Sequence, residues 1–106
     1  MTIAVLYRWR ARPGMEDQFR RGWVSGTRAI ERQCGSFGAA LHQAQDGTFW
    51  SYARWPDEAT RRACFQDGSV FSDPGFGQMS EATAETFEEI PLEITDDLLV
   101  LTRRRR

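Results

Sequence analysis

Residues 37–57 read FGAALHQAQDGTFWSYARWPD. At their centre Asp46-Gly47 stands between two runs that alternate in polarity, the strongest short-range signal for a β-hairpin. Glycine takes the positive φ that such a turn needs, and aspartate tolerates it. A two-residue turn pairs Gln45 with Thr48. That register puts Gln43–Trp50, Leu41–Tyr52 and Ala39–Arg54 on one face. Ala44–Phe49, His42–Ser51, Ala40–Ala53 and Gly38–Trp55 fall on the other. Pro56-Asp57 ends the hairpin, with Asp57 placed to cap the helix that follows.

Upstream, Ile3–Ala11 alternate, with Ile3, Val5, Tyr7, Trp9 and Ala11 on one face of a strand and Leu6, Arg8 and Arg10 on the other. Pro13-Gly14 breaks it. Met15, Phe19, Trp23, Ile30 and Cys34 then recur at helical spacing, and Gly35 is a natural stop. Downstream, the second helix runs to about Gln66 and stops at Asp67-Gly68. After a turn-rich link, Phe76, Met79, Thr83, Phe87 and Ile90 share one side of a further helical stretch. Glu81, Glu85, Glu88 and Glu89 make its solvated face. Pro91–Thr95 reads as an edge strand, and Leu98–Leu101 as an apolar patch extending to a partner.

The order β-α-β-β-α-β predicts an α+β domain: a ferredoxin-like antiparallel sheet with its helices on one face. Its bare face, carrying Leu6, Leu41, Trp50 and Tyr52, is too apolar for water. A second copy covers it at least cost, which predicts a homodimer closing a dimeric α/β barrel. Arg8, Arg10 and Arg54 on that face are expected to pair with acids of the partner.

The 106 residues fit one domain, placed at 1–102, with Arg103–Arg106 as a disordered tail. The net charge is −1 even with those four arginines counted, so the body is acidic and does not suit nucleic acid. Every basic side chain is Arg, and with no Lys a Schiff-base mechanism is excluded. No apolar run approaches the ~20 residues of a membrane span, and no signal segment is evident. The protein is expected in the cytoplasm, with Cys34 and Cys64 as thiols. Two helices lying in parallel would set those cysteines on the order of 15 Å apart, beyond disulfide reach. A single His makes a metal site improbable.

Three stretches resemble the antibiotic biosynthesis monooxygenase family over roughly residues 3–101. They are Tyr7-Arg-Trp-Arg-Ala-Arg-Pro13-Gly14-Met-Glu16 with Phe19 and Trp23, then Ser36-Phe-Gly to Leu41-His42 with the hairpin end Tyr52-Ala-Arg54-Trp55-Pro-Asp57-Glu-Ala, then Glu93-Ile-Thr-Asp-Asp97-Leu98-Leu99. The resemblance implies dimers with a pocket between sheet and helices in each subunit. It also implies oxygenation of aromatic phenols, quinols or polyketide-like compounds without metal or flavin. Members of that kind carry an Asn and a Trp four apart on the third strand. Ser51 and Trp55 match those positions, the amide being replaced by a hydroxyl. A Tyr on the following helix is replaced by Arg61 or a neighbour. Haem-degrading relatives carry an Asn on the first strand, a Trp on the second helix and a nearby His. Tyr7, Cys64 or Phe65, and no His stand at these places, so haem degradation is disfavoured.

The hairpin register groups His42, Ser51 and Trp55 on the helix-facing side, with Tyr7 and Trp9 beside them. These give a catalytic set of Tyr7, His42, Ser51 and Trp55 and substrate-binding walls from Trp9, Phe65, Phe71 and Phe76, with neither metal nor cofactor. Imidazole is the one side chain whose ordinary pKa lies near neutrality, so His42 is the natural base for a phenol. A structural role for His42, and packing roles for the aromatics, are the competing interpretation. Gly22 and Gly26 on the first helix either make space for a ligand or allow close approach of helix and sheet. A non-catalytic binding protein for a small aromatic metabolite, or an isomerase or cyclase, is the alternative to an oxygenase.

Overall fold

The computed structural model describes residues 2–100, so the Arg103–Arg106 tail and Leu101 lie outside the described residues. The chain runs β1 (Ile3–Ala11), α1 (Glu16–Cys34), β2 (Ala39–Gln43), β3 (Phe49–Trp55), α2 (Glu58–Asp67), a 3-10 turn (Ser69–Ser72), α3 (Pro74–Glu81), β4 (Thr83–Thr86) and β5 (Ile90–Glu93). The sheet is antiparallel throughout, in the order β2-β3-β1-β4. β3 pairs along β1 from Ile3 to Trp9. β4 and β5 therefore share the other edge of β1, against Trp9–Ala11 and Ile3–Leu6 respectively. This is the ferredoxin-like α+β sandwich, an open sheet with its helices on one face.

Alternation decides which face they cover. β3 is buried at Phe49, Ser51, Ala53 and Trp55 and only partly buried at the residues between. Its β1 partners on the same face are Trp9, Tyr7, Val5 and Ile3. Val5, Ala29, Ala53, Trp55, Cys64 and Val70 make one core cluster, and Phe19, Phe49 and Ala82 a second. α1 ends at Gly35, in the left-handed conformation at φ 74°. α2 begins at Asp57, whose carboxylate accepts the Thr60 amide at 2.7 Å.

The turn of the hairpin differs from the expected one. Gly47 N–H donates to the Ala44 carbonyl and Ala44 N–H to the Thr48 carbonyl, so the loop has three residues, with Gly47 left-handed at φ 91°. Asp46 fixes it by accepting from the amide and the hydroxyl of Thr48, at 3.0 and 2.7 Å. The register moves by one residue: Leu41 pairs with Ser51 and His42 with Trp50. Leu41 consequently packs in the helix-facing core with Phe19 and Phe49 instead of on the bare face.

The expected helix through Ile90 is also shorter. α3 stops at Glu81, where the Thr83 hydroxyl donates to the Met79 carbonyl at 2.6 Å. The free edge of β1 then offers backbone partners to Thr83–Thr86. Glu85 is thus a strand residue paired with Arg10 at 3.7 Å, and Arg54 pairs with Asp97 at 2.7 Å. Two of the three expected interface arginines, Arg10 and Arg54, have acidic partners in their own chain.

Cys34 and Cys64 form a disulfide, with Cα atoms 5.5 Å apart, which corrects their assignment as distant thiols. The neighbour along the flank of α1 is α3, not α2. A Cβ on Gly22 would sit 2.6 Å from the Met79 nitrogen, and one on Gly75 would sit 2.8 Å from the Gly22 carbonyl oxygen. The glycines therefore serve helix–helix approach. α2 meets α1 at its C-terminal end, where the cysteines lie. Disulfides belong to oxidising compartments, so the cytoplasmic expectation loses the support of free thiols. No helix among the described residues is long and apolar enough to cross a membrane.

Candidate functional site

A cavity of about 490 Å³ lies between the helix-facing side of the sheet and the helices. Strand pairing builds its floor. Tyr7 is directly opposite Ser51, and Trp55 follows Ser51 on the same face, with only the small Ala53 between them. A chain of rings forms one wall: Trp55 to Phe65 at 5.6 Å, Phe65 to Phe71 at 5.6 Å and Phe71 to Phe76 at 5.0 Å between centroids. Phe76 packs against α1 because Gly26 has no side chain, a Cβ there falling 3.1 Å from the ring. Trp9 extends the floor, stacked on Tyr7 at 6.0 Å. Phe71, 45 % exposed, is the outermost ring of the wall. The arrangement suits a flat aromatic ligand.

Tyr7, Trp9, Ser51, Trp55, Phe65, Phe71 and Phe76 all line this one cavity. His42 does not. The shifted register turns it to the opposite face, exposed, with its Nδ1 3.3 Å from the Trp50 carbonyl oxygen. Its assignment beside Ser51 is corrected: the three-residue turn, not the imidazole's chemistry, excludes it.

The polar groups of the cavity are chiefly hydroxyls. Ser51 is 1 % exposed. The Trp55 indole N–H is buried with no hydrogen-bond partner among the described residues. The Tyr7 hydroxyl accepts from Arg61 Nη1 at 3.1 Å. Burial raises the Tyr7 pKa above its ordinary value; Arg61 opposes this and Glu89 adds to it. Tyr7 therefore keeps its proton at neutral pH.

Arg61, 6 % exposed, is the site residue whose role the sequence conceals. Its Nε donates to Glu58 at 3.0 Å and its Nη2 to Glu89 at 2.8 Å. Burial works against its charge, but the hydrogen bonds to Glu89 and Glu58 outweigh that, and its pKa is raised. Glu58 is correspondingly lowered, first by its hydrogen bond from Arg61. The spacing Glu58-x-x-Arg61 is visible in the sequence as a helical ion pair. Glu89, expected on a solvated helix face, enters only because the break between β4 and β5 carries it back to α2. No group of His, Cys, Asp and Glu among the described residues is suited to hold a metal.

No protein-family model and no curated protein matches the sequence. Solved structures do match the fold. SnoaB, a cofactor-independent oxygenase from Streptomyces nogalater, superposes with a TM-score of 0.74 at 14 % identity, covering 92 % of this chain and 96 % of that one. A candidate antibiotic biosynthesis monooxygenase from Bordetella bronchiseptica gives 0.76 at 19 % identity, covering 89 % and 97 %. Rv0793 from Mycobacterium tuberculosis gives 0.73 at 15 % identity, covering 93 % and 100 %. The chain thus has the α+β fold of antibiotic biosynthesis monooxygenase-like structures over nearly its whole length.

Proposed function

We propose that the protein is a cofactor-independent monooxygenase acting as a homodimer on a small aromatic phenol, quinol or polyketide-like compound. The observation that carries this reading is the cavity itself: an aromatic-walled space of about 490 Å³ with the Tyr7 and Ser51 hydroxyls on its floor. The fold shared with SnoaB supports it. The substrate supplies the electrons: a phenol and dioxygen give a quinone and water, two C–H/O–H hydrogens leaving with one oxygen atom while the other joins the ring. The protein's part is to bind the ring between Trp9 and the phenylalanine wall, hold its oxygen and exclude water. His42 takes no part within its own subunit. The test is dioxygen uptake by the purified protein with a panel of hydroquinones and polycyclic phenols. Protein-dependent uptake, lost when Phe76→Trp fills the cavity, is expected. Absence of uptake across the panel defeats the reading.

The second copy is placed on the bare sheet face. Leu6 and Tyr52 lie there half-buried, Leu92 is 39 % exposed, and Leu98 and Leu99 are 91 % and 61 % exposed nearby in sequence. Light scattering should give about twice the chain mass of 12.2 kDa; a monomer at micromolar concentration contradicts the placement. A non-catalytic binding protein is the second reading, favoured by one observation: with His42 outside, the cavity has donors but no imidazole. It predicts tight aromatic binding without oxygen uptake.

A further inference from the structure

α1 borders two separate concave sites. Trp23, Gly26, Thr27 and Ile30 line the aromatic cavity. On its other flank Arg20, Val24, Arg28 and Arg32 follow one i, i+4 row, with Arg21 beside them, and line an open groove of about 760 Å³. Asp73, the N-cap of α3, stands on the far side of that groove. The two sites have no lining residue in common.

The arginines of the groove differ from the rest. Every arginine of the described residues outside it has a carboxylate or carbonyl partner. Within it Arg20 pairs with Asp17, whereas Arg21, Arg28 and Arg32 are exposed and have no hydrogen-bond or ion-pair partner among the described residues. Asp73 does not fill that role: its Oδ2 accepts from the Ser25 hydroxyl at 2.7 Å and from the Gly75 amide at 2.9 Å. Glu31, the next acid along α1, is outside the lining. Four arginines against two aspartates leave the groove positive, on a chain whose net charge is −1. Val24, 39 % exposed, stands one turn after Arg20 and Arg21 and one turn before Arg28. At the helical rise, Arg21 and Arg28 are about 10 Å apart along the axis and Arg28 and Arg32 about 6 Å.

We propose that this groove is a second binding site, for an organic molecule with two anionic groups, carboxylate or phosphate, about 10 Å apart. Arg28 and Arg32 hold one group and Arg21 the other, since a guanidinium fork matches either oxyanion. The neutral middle of the molecule covers Val24. A uniform polyanion would instead set charge against Val24 and beside the Asp73 carboxylate, where it is repelled. The site is independent of the aromatic cavity and of the oxygenase reading.

The experiment is isothermal titration calorimetry of the full chain at low ionic strength. The probes are sebacate and fructose 1,6-bisphosphate, whose anionic groups are far apart, and succinate and inorganic phosphate, which cannot span the groove. At least one long bis-anion is expected to bind with a Kd on the order of 0.1–1 mM, about tenfold tighter than its short counterpart. Whichever of the two binds tells carboxylate from phosphate. Arg21→Gln and Arg28→Gln should each weaken it about fivefold to tenfold, glutamine keeping the helix intact. Arg62→Gln, an equal loss of charge on α2, should leave it unchanged. Failure of both long probes to saturate below about 10 mM overturns the proposal. So does equal binding of the short ones, or affinity that survives Arg21→Gln and Arg28→Gln. A ten-residue polyglutamate binding tighter than either bis-anion would make the face a docking surface for an acidic protein and overturn it too.

Discussion

Reducing the Cys34–Cys64 disulfide adds two electrons and two protons, breaking one S–S bond and leaving two thiols, which makes it a clean perturbation. The cysteines are 30 positions apart, and the loop they close contains the whole β2–β3 hairpin, Ser51 and Trp55 included. The chain-entropy relation for a loop of that size gives about 12 cal/mol/K, or about 3.6 kcal/mol at 25 °C, of stabilisation exerted on the unfolded state. Little is expected on the native side. Both sulfurs sit in the cluster with Trp55 and Val70, where thiols pack as small apolar groups. Against a total stability of about 5–15 kcal/mol the loss is large. With an unfolding entropy of about 2.1 cal/mol/K per residue, the melting temperature falls by about 16 °C.

The assay is urea unfolding followed by tryptophan fluorescence, for the oxidised protein, the protein in dithiothreitol and Cys34→Ala/Cys64→Ala. The two uncrosslinked forms should agree. Each should show a lower midpoint and a slightly higher m-value, because a freed unfolded chain exposes more surface. A change below about 1 kcal/mol, or two free thiols in the mass spectrum of protein never exposed to reductant, refutes the reasoning. Disagreement between the reduced and the double-alanine forms would place the effect in native packing instead.

His42→Ala should leave aromatic binding and any oxygen uptake within about twofold, since it shares no partner with the cavity; the pH profile of uptake should then follow the ionisation of the phenol supplied. Gly22→Ala should destabilise by about 1–3 kcal/mol in thermal unfolding, because its Cβ meets the α3 backbone. Helix propensity alone predicts the opposite sign, so a stabilised variant would contradict the observed crossing. Asp46, Asp57, Asp73 and Glu58 all have folded pKa values lowered, the aspartates by hydrogen bonds from neighbouring amides or hydroxyls and Glu58 by Arg61. A lowered folded pKa gives stability that is present above the unfolded value, about 4, and lost as pH falls through the folded one. Urea midpoints should be flat from neutrality to about pH 5 and fall below about pH 4; a midpoint unchanged at pH 3 would remove these contacts from the balance.

Elements were legible where local chemistry alone sets them. β1 reads from its alternation, α1 from its stripe and Gly35, and α2 from Asp57, and all three lie where these signals put them. Thr83–Thr86 was not legible, because its residues tolerate a helix and only the unpaired edge of β1 makes a strand preferable. The disulfide escaped for a related reason. Which helix flanks α1 depends on the glycine contacts between α1 and α3, and helical spacing carries no trace of them. Arg61 was visible as half of an ion pair, but its second carboxylate, Glu89, arrives from 28 residues away across a strand break.

The hairpin turn has the widest chemical consequence of these differences. Asp-Gly serves a two-residue turn, with both residues at positive φ, and equally a three-residue turn in which glycine alone is left-handed. Here the second form wins because the Asp46 carboxylate can then hold both the amide and the hydroxyl of Thr48. One extra loop residue exchanges Leu41 for His42 on the cavity side, since strand side chains alternate. An apolar residue that would have faced solvent instead joins the core with Phe49, and the only imidazole in the chain leaves the site. The cavity lining keeps its hydroxyls, that of Tyr7 held by a donor-only arginine and that of Ser51 among them, and one carboxylate, Glu85, but no imidazole. Such a site can orient an acceptor oxygen, but the chain's imidazole, on the opposite face of the sheet, cannot collect the proton of a neutral phenol there. Under the proposed oxygenase reading, the substrate would be one acidic enough to ionise without an imidazole base.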